Sequence, residues 1–532
     1  MKACIAIFKT AVIQTFVVLL VAFYCYAARA TDKVRIEKIN ISINPIFSDE
    51  ERTGWLYETA DKLHIDTRPY VISRLLPFQE GDVVSARTID EAERILRAKA
   101  FLRDARVTWQ KSEAGDGVIV EVQTWENWTL VPTVDISREG GVTDYSYGIQ
   151  DENLLGHGLR ATIQYFKEQE RTGYSLILAS QVSTESHLQA ALVLSDTSDG
   201  EQYSIGLNKP FYTLDDEWSA DFYVNTERRE DTIYSNDEEI NVFSHEVDHF
   251  EVSYGFSEGL VDDSVVRYQV GFTERRDSFI ENAMTIGLPE ERDFTYPWVG
   301  LEYLDDNFIK TQNLYLIGRT EDVQLGWRHN IRLGVNTSNS QYQKAIHWYW
   351  YSRYTNQINE DHLYTTWLSS DGIEPDGRME STYYYSAGYE YFHHASDTRI
   401  WYAQAKFWGA ENPYIDRPIA IGGESGLRGY PLQYQHGKQA YLLNLEKRYY
   451  PGINLFKLVD VGFAAFIDVG RARGETLYPN QEEGTLVGVG LGVRLFFSRS
   501  SGRNLVNINL ASPANSDYLS GLDFSITATT SF

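Results

Sequence analysis

The sequence predicts a mainly β protein: an antiparallel transmembrane β-barrel of about 16 strands behind one small N-terminal α/β domain. Three observations predict it. Segments of about ten residues with alternating hydrophobicity repeat through most of the chain. The chain holds 36 Tyr, 25 Phe and 12 Trp, but only 3 Met and 2 Cys. Its mean hydropathy of −0.37 is too polar for a bundle of membrane helices.

The one long apolar run lies at the N-terminus. Lys2 and Lys9 precede an apolar core from Ala11 to Cys25, and Ala28-Arg29-Ala30 follows. This order predicts a secretory signal peptide over 1–30, cleaved after Ala30. The core is short of the ~20 residues that a spanning helix needs. Both cysteines, Cys4 and Cys25, fall in this segment. The exported chain is therefore expected to fold without disulfides, and thiolate zinc sites and cysteine nucleophiles are excluded. A net charge of −27 argues against nucleic acid as a partner, because duplex binding rests on basic surface. Acidic clusters such as Asp215 to Glu217 and Asn236 to Glu239 read as solvated loops.

Residues 31–127 are assigned to the α/β domain. Val34 to Ile39 alternates apolar with charged residues, as a half-buried strand does. After the mixed stretch Pro69 to Leu76, Thr88 reads as a helix N-cap, with Glu91 completing a capping box. Ile89, Ala92, Ile95, Leu96 and Lys99 then follow helical spacing. Val107 and Trp109 alternate, Ala114 to Gly117 turns the chain, and Val118, Val120 and Val122 share one face of a returning strand. The predicted order is strand, helix, helix, strand, strand.

Residues 128–532 are assigned to the barrel. Tyr145, Tyr147 and Ile149 alternate with Ser146 and Gly148. Val487, Val489, Leu491, Val493 and Leu495 alternate with three glycines and Arg494. A sandwich or propeller would bury the apolar face, whereas a membrane barrel turns it to lipid and keeps a polar lumen. The Tyr- and Phe-rich apolar faces, the charges and glycines opposite, and an alternating strand ending at Phe532 favour the barrel. In lipid the sheet must close, since an open edge leaves backbone groups unpaired. At roughly 25 residues per strand with its loop, about 16 strands are expected.

Several motifs resemble the BamA, TamA and FhaC superfamily of outer-membrane assembly and secretion proteins, including bacterial surface antigens. The small domain resembles its polypeptide-transport-associated (POTRA) module. Asn153-Leu154-Leu155-Gly156-His157-Gly158 resembles the N-L-x-G-x-G turn early in the family's barrels. Leu427-Arg428-Gly429-Tyr430 resembles the V/I-R-G-F/Y tip of its sixth extracellular loop. Asn444 to Arg448 resembles the N-x-E-x-R strand, and Phe466 to Gly470 the F-x-D-x-G strand. The aromatics Phe524 and Phe532 fit the family's C-terminal insertion signal. One module departs from the several of BamA-type proteins and the two of two-partner secretion pores.

Strand parity places Glu446 with Asn444 and Arg448, and Asp468 with Phe466 and Gly470, all facing the lumen. An arginine on a glycine-rich tether, Gly422 to Pro431, can enter and pair with a lumenal carboxylate. By resemblance Asp468 is the first partner of Arg428 and Glu446 the second. Two motifs are decoys. His245 and His249 match H-E-x-x-H, but their surroundings alternate as a strand, which sets the histidines about 13 Å apart at ~3.3 Å per residue. Gly423 to Gly426 lacks the last glycine of G-x-S-x-G, where Leu427 stands.

The resemblance implies an outer-membrane protein, with its domain in the periplasm, that inserts or exports polypeptides without cofactor, metal or catalysis. Its implied partners are unfolded or secreted polypeptides, outer-membrane lipid and lipopolysaccharide, and the barrel-assembly machinery for its own insertion. A passive porin or structural barrel, and more distantly a barrel lipid hydrolase, are the alternatives.

Overall fold

The computed structural model describes residues 33–530, apart from 48–63, 114, 116, 140–141, 169, 182–185, 237, 378, 477 and 502–503. The predicted signal peptide and Phe532 lie outside the described residues.

The small domain runs β1 (Lys33–Asn44), α1 (Pro69–Leu75), β2 (Val83–Ser85), α2 (Ala86–Arg97), β3 (Leu102–Lys111) and β4 (Val118–Glu126). Its sheet order is β2-β1-β4-β3, with β1 and β4 parallel. Alternation on the strands and the helical stripe of α2 converge on one core, including Ile36, Ile72, Ile89, Leu96, Val120 and Val122. The N-cap of α2 is Ser85, whose hydroxyl accepts from the Thr88 amide at 3.2 Å. The expected cap at Thr88 is therefore corrected by three residues. Glu91 serves the barrel instead of a capping box. Its carboxylate accepts the Leu214 amide, far along the chain, at 3.0 Å.

The rest is a closed antiparallel barrel. Among the described residues its wall runs through twenty strands, from Leu130–Glu139 to Asp523–Thr530, which corrects the expected 16. The shortfall came from the turns. Several neighbouring wall strands join through only two residues. Asp262 and Asp263 join Val261 to Ser264, both with positive φ (47° and 65°), as the tightest hairpins require.

Parity sorts the wall. On Gln439–Leu455, Leu443 and Leu445 are 47% and 46% exposed, while Leu442 and Glu446 are buried. Tyr147, Tyr174, Trp218, Tyr254, Trp327 and Tyr449 are among the outward aromatics. An apolar outer face with aromatics suits lipid on every side. Among the described residues no helix is long and apolar enough to cross a membrane.

Twenty strands enclose more space than wall side chains can fill. Two inserts occupy it. From the end away from the small domain comes the connection 412–438, carrying the short pair Ile419–Ile421 and Gln435–Gly437. From the domain end comes a hairpin of Phe308–Gln312 and Thr320–Gln324, whose tip packs against inward wall residues.

Candidate functional site

The lumenal charge cluster is built by three adjacent strands and one loop. Gln439–Leu455 pairs with Val459–Arg473, setting Asn444 opposite Asp468 and Glu446 opposite Phe466. Val459–Arg473 pairs with Leu486–Phe497, setting Asp468 opposite Gly488 and Phe466 opposite Gly490. Even-numbered residues of all three strands face inward.

The loop tip descends onto this surface. Gly426 and Gly429 take φ of 97° and 91°, a left-handed backbone that favours glycine, and they flank Leu427 and Arg428. Arg428 then makes a two-pronged pair with Asp468, Nε to Oδ2 and Nη2 to Oδ1, both at 2.7 Å. Its Nη1 donates to Glu446 Oε2 at 3.0 Å. Its guanidinium lies 3.4 Å over the Phe466 ring centre, a cation–π contact. Asn444 ties both sides together, donating to Asp468 Oδ1 at 2.7 Å and to the Gly426 carbonyl at 3.1 Å. Leu427 and Tyr430 are fully buried beside it, and the Tyr430 hydroxyl accepts the Val487 amide at 3.1 Å.

The small residues opposite are spatially required. A Cβ on Gly488 would sit 2.2 Å from the Arg428 carbonyl oxygen, and one on Gly490 would strike the Phe466 ring at 2.4 Å. Glycine at these wall positions makes the space that the tip occupies.

Two further arginines complete the cluster: Arg448, which closes the N-x-E-x-R stretch, and Arg494, which lies in no motif. Glu446 Oε1 also accepts from Arg448 Nε at 3.0 Å and from Arg494 Nη2 at 3.1 Å. Three arginines thus surround two buried carboxylates. Arg448 and Arg494 also donate to carbonyl oxygens, Arg448 Nη1 to Leu314 O and Arg494 Nη1 to Asn509 Oδ1, each at 2.8 Å. Parity already set both arginines on the lumen face; only the fold reveals that they share one acid.

Of the remaining named residues, Phe524 faces outward on the last strand. His245 and His249 lie on the strand Glu238–Val261 and take separate partners. His245 sits between Asp231 at 2.6 Å and Asp277 at 3.0 Å, whereas His249 meets Glu251. The Ser425 hydroxyl is turned back to the Gly422 carbonyl at 2.8 Å.

A second junction joins domain and barrel. Asn153 opens the turn before Arg160–Lys167; its Oδ1 accepts the Gly158 amide and its Nδ2 donates to Thr67 Oγ1 at 2.8 Å. Gly156, at φ 76°, allows close approach of the Asp66 carbonyl, 2.4 Å from where a Cβ would lie. Thr67 in turn donates its amide to Glu126, which also meets His64 at 2.9 Å. Burial alone would raise the Glu126 carboxyl, but the His64 and Thr67 hydrogen bonds outweigh it and hold it below its ordinary range.

Neither a family model nor a curated protein matches this chain. Solved structures do. BamA from Haemophilus ducreyi lacking POTRA domains 1–3 aligns at 12% identity over 93% of this chain and 84% of its own, with a TM-score of 0.37. CdiB from Escherichia coli aligns at 14% identity over 93% of this chain and 76% of its own, TM-score 0.46. CdiB from Acinetobacter baumannii aligns at 11% over 93% and 73%, TM-score 0.45. At that distance no residue's role transfers, and the lumen and the wall of this chain must supply its function.

Proposed function

We propose that this protein is an outer-membrane assembly or translocation factor. It receives polypeptides on its small periplasmic domain, a single POTRA-like module, and works on them at the barrel seam. Catalysis, metal and cofactor have no part in this reading. The seam between the first and last strands carries it. There the register among the described residues is one pair, Ile526 opposite Arg138. A wall closed by pairing its first strand with its last suits lateral opening at that seam, where an extended client can add to a strand edge. The lock of Arg428 on Asp468 and Glu446 holds wall strands that stand a few strands from that seam in one arrangement.

A passive porin is the second class of function. It needs an open lumen, and the inserts 412–438 and 308–324 stand against it. Deleting residues 31–127 from a strain's copy separates the readings. The transport reading expects surface-exposed proteins to fall while the barrel still assembles. An unchanged surface proteome sinks it.

A further inference from the structure

We propose that the hairpin 308–324 is a resident plug whose seat in the lumen is set by the small domain. The wall beneath its tip is the first observation. Leu363, Phe392, Ile400, Tyr450 and Phe496 face inward and are buried. A water-filled lumen is lined by polar residues, so an apolar inner patch calls for an occupant. The hairpin supplies it: Leu314, Leu316 and Ile317 are buried against this patch.

The seated tip also has its backbone satisfied. Glu321 accepts the amides of Leu314 at 2.9 Å and Tyr315 at 3.0 Å. Arg448 takes the Leu314 carbonyl at 2.8 Å. Arg448 also holds Glu446, which holds Arg428. The two inserts, entering from opposite ends, are therefore linked through Arg448 and Glu446.

The base of the hairpin is gripped by α2. Arg97 makes a two-pronged pair with Asp322, at 2.8 Å and 2.7 Å. Lys310 pairs with Glu93, and Arg94 lies 4.1 Å over the Phe308 ring centre. Arg319, at the tip's end, donates to the Leu102 carbonyl at 2.8 Å. The strands that carry the plug are thus bonded to the domain as well as to the wall, where Arg353 donates to Gln324 Oε1 at 2.7 Å and His394 meets the Gln312 carbonyl at 3.1 Å. A client that displaces the domain pulls the plug from its seat. This coupling is a property of the chain alone and is tested without a client, so its failure would leave the transport reading standing.

The native cysteines are Cys4 and Cys25, so a single introduced thiol is a clean reporter in the processed protein. Leu363→Cys places one under the tip. The measurement is the labelling rate with a membrane-impermeant maleimide on the purified full chain in detergent, scoring only the folded, heat-modifiable band. Labelling is expected to be slow in the otherwise unaltered chain. Asp322→Arg and Arg97→Glu should each speed it about tenfold or more, since a half-broken buried pair is strongly unfavourable. The double swap should restore slow labelling. Phe308→Ala, which removes the Arg94 contact and adds no charge, should also speed labelling and serves if a charge variant does not fold. Fast labelling in the unaltered chain, unchanged rates in the single variants, or a swap as fast as the singles would overturn the plug.

Discussion

Arg428 is bonded on every side of its guanidinium: two prongs to Asp468, one to Glu446 and its face to Phe466. Removing it leaves the buried Asp468 carboxylate without a cation, while Glu446 keeps Arg448 and Arg494, a loss of about 3–5 kcal/mol for such a broken pair. Arg428→Ala should therefore lower the temperature of the heat-modifiable transition and open 422–431 to protease. Arg428→Lys should recover little of either, because an ammonium cannot replace a planar fork. Normal migration and protection in both variants would refute the lock. Gly488→Ala tests the same contact from the wall: its new methyl meets the Arg428 carbonyl, so the tip should become protease-sensitive without any change of charge. This residue scale was the most legible in the sequence. Strand parity alone put Glu446, Asp468, Arg448 and Arg494 on one face. The sharing of Glu446 among three arginines was not legible, because it depends on which strands lie side by side.

At the scale of elements, α2 bridges the two halves. Burial, opposed by the Leu214 amide, pushes the Glu91 carboxyl up to about 7. The sign follows from linkage: the packed state favours the protonated acid. Its contribution is full below about 4.5 and is lost as pH rises through about 7. Hydrogen exchange of the turn 210–217 should therefore quicken from pH 5 to pH 8, after correction for intrinsic exchange, and Glu91→Gln should flatten that trend. An equal trend in the variant would rule out Glu91 as the cause. The sequence misplaced this helix's cap because both Ser85 and Thr88 suit the role; Ser85 wins by preceding the first helical turn, while Glu91 serves the barrel. The plug hairpin escaped notice for a different reason. Leu314 to Ile317 is a short apolar run beside alternating residues, which reads the same in a lumenal hairpin as in a wall strand.

For the whole molecule, the sequence made the barrel plain and its size less so. Alternation identifies strands but does not count them, and two-residue turns pack more strands into a given length than a uniform spacing allows. The difference matters for function. A wall of twenty strands leaves a lumen that side chains cannot fill, and this chain fills it from both ends. The proposed function puts the movement at the seam. A cysteine pair at Arg138 and Ile526, the one registered position across it, tests this most directly. If the protein works at its seam, the oxidised pair should assemble normally yet fail to support surface protein display, and reductant should restore it. Full display with the seam covalently shut would contradict the account.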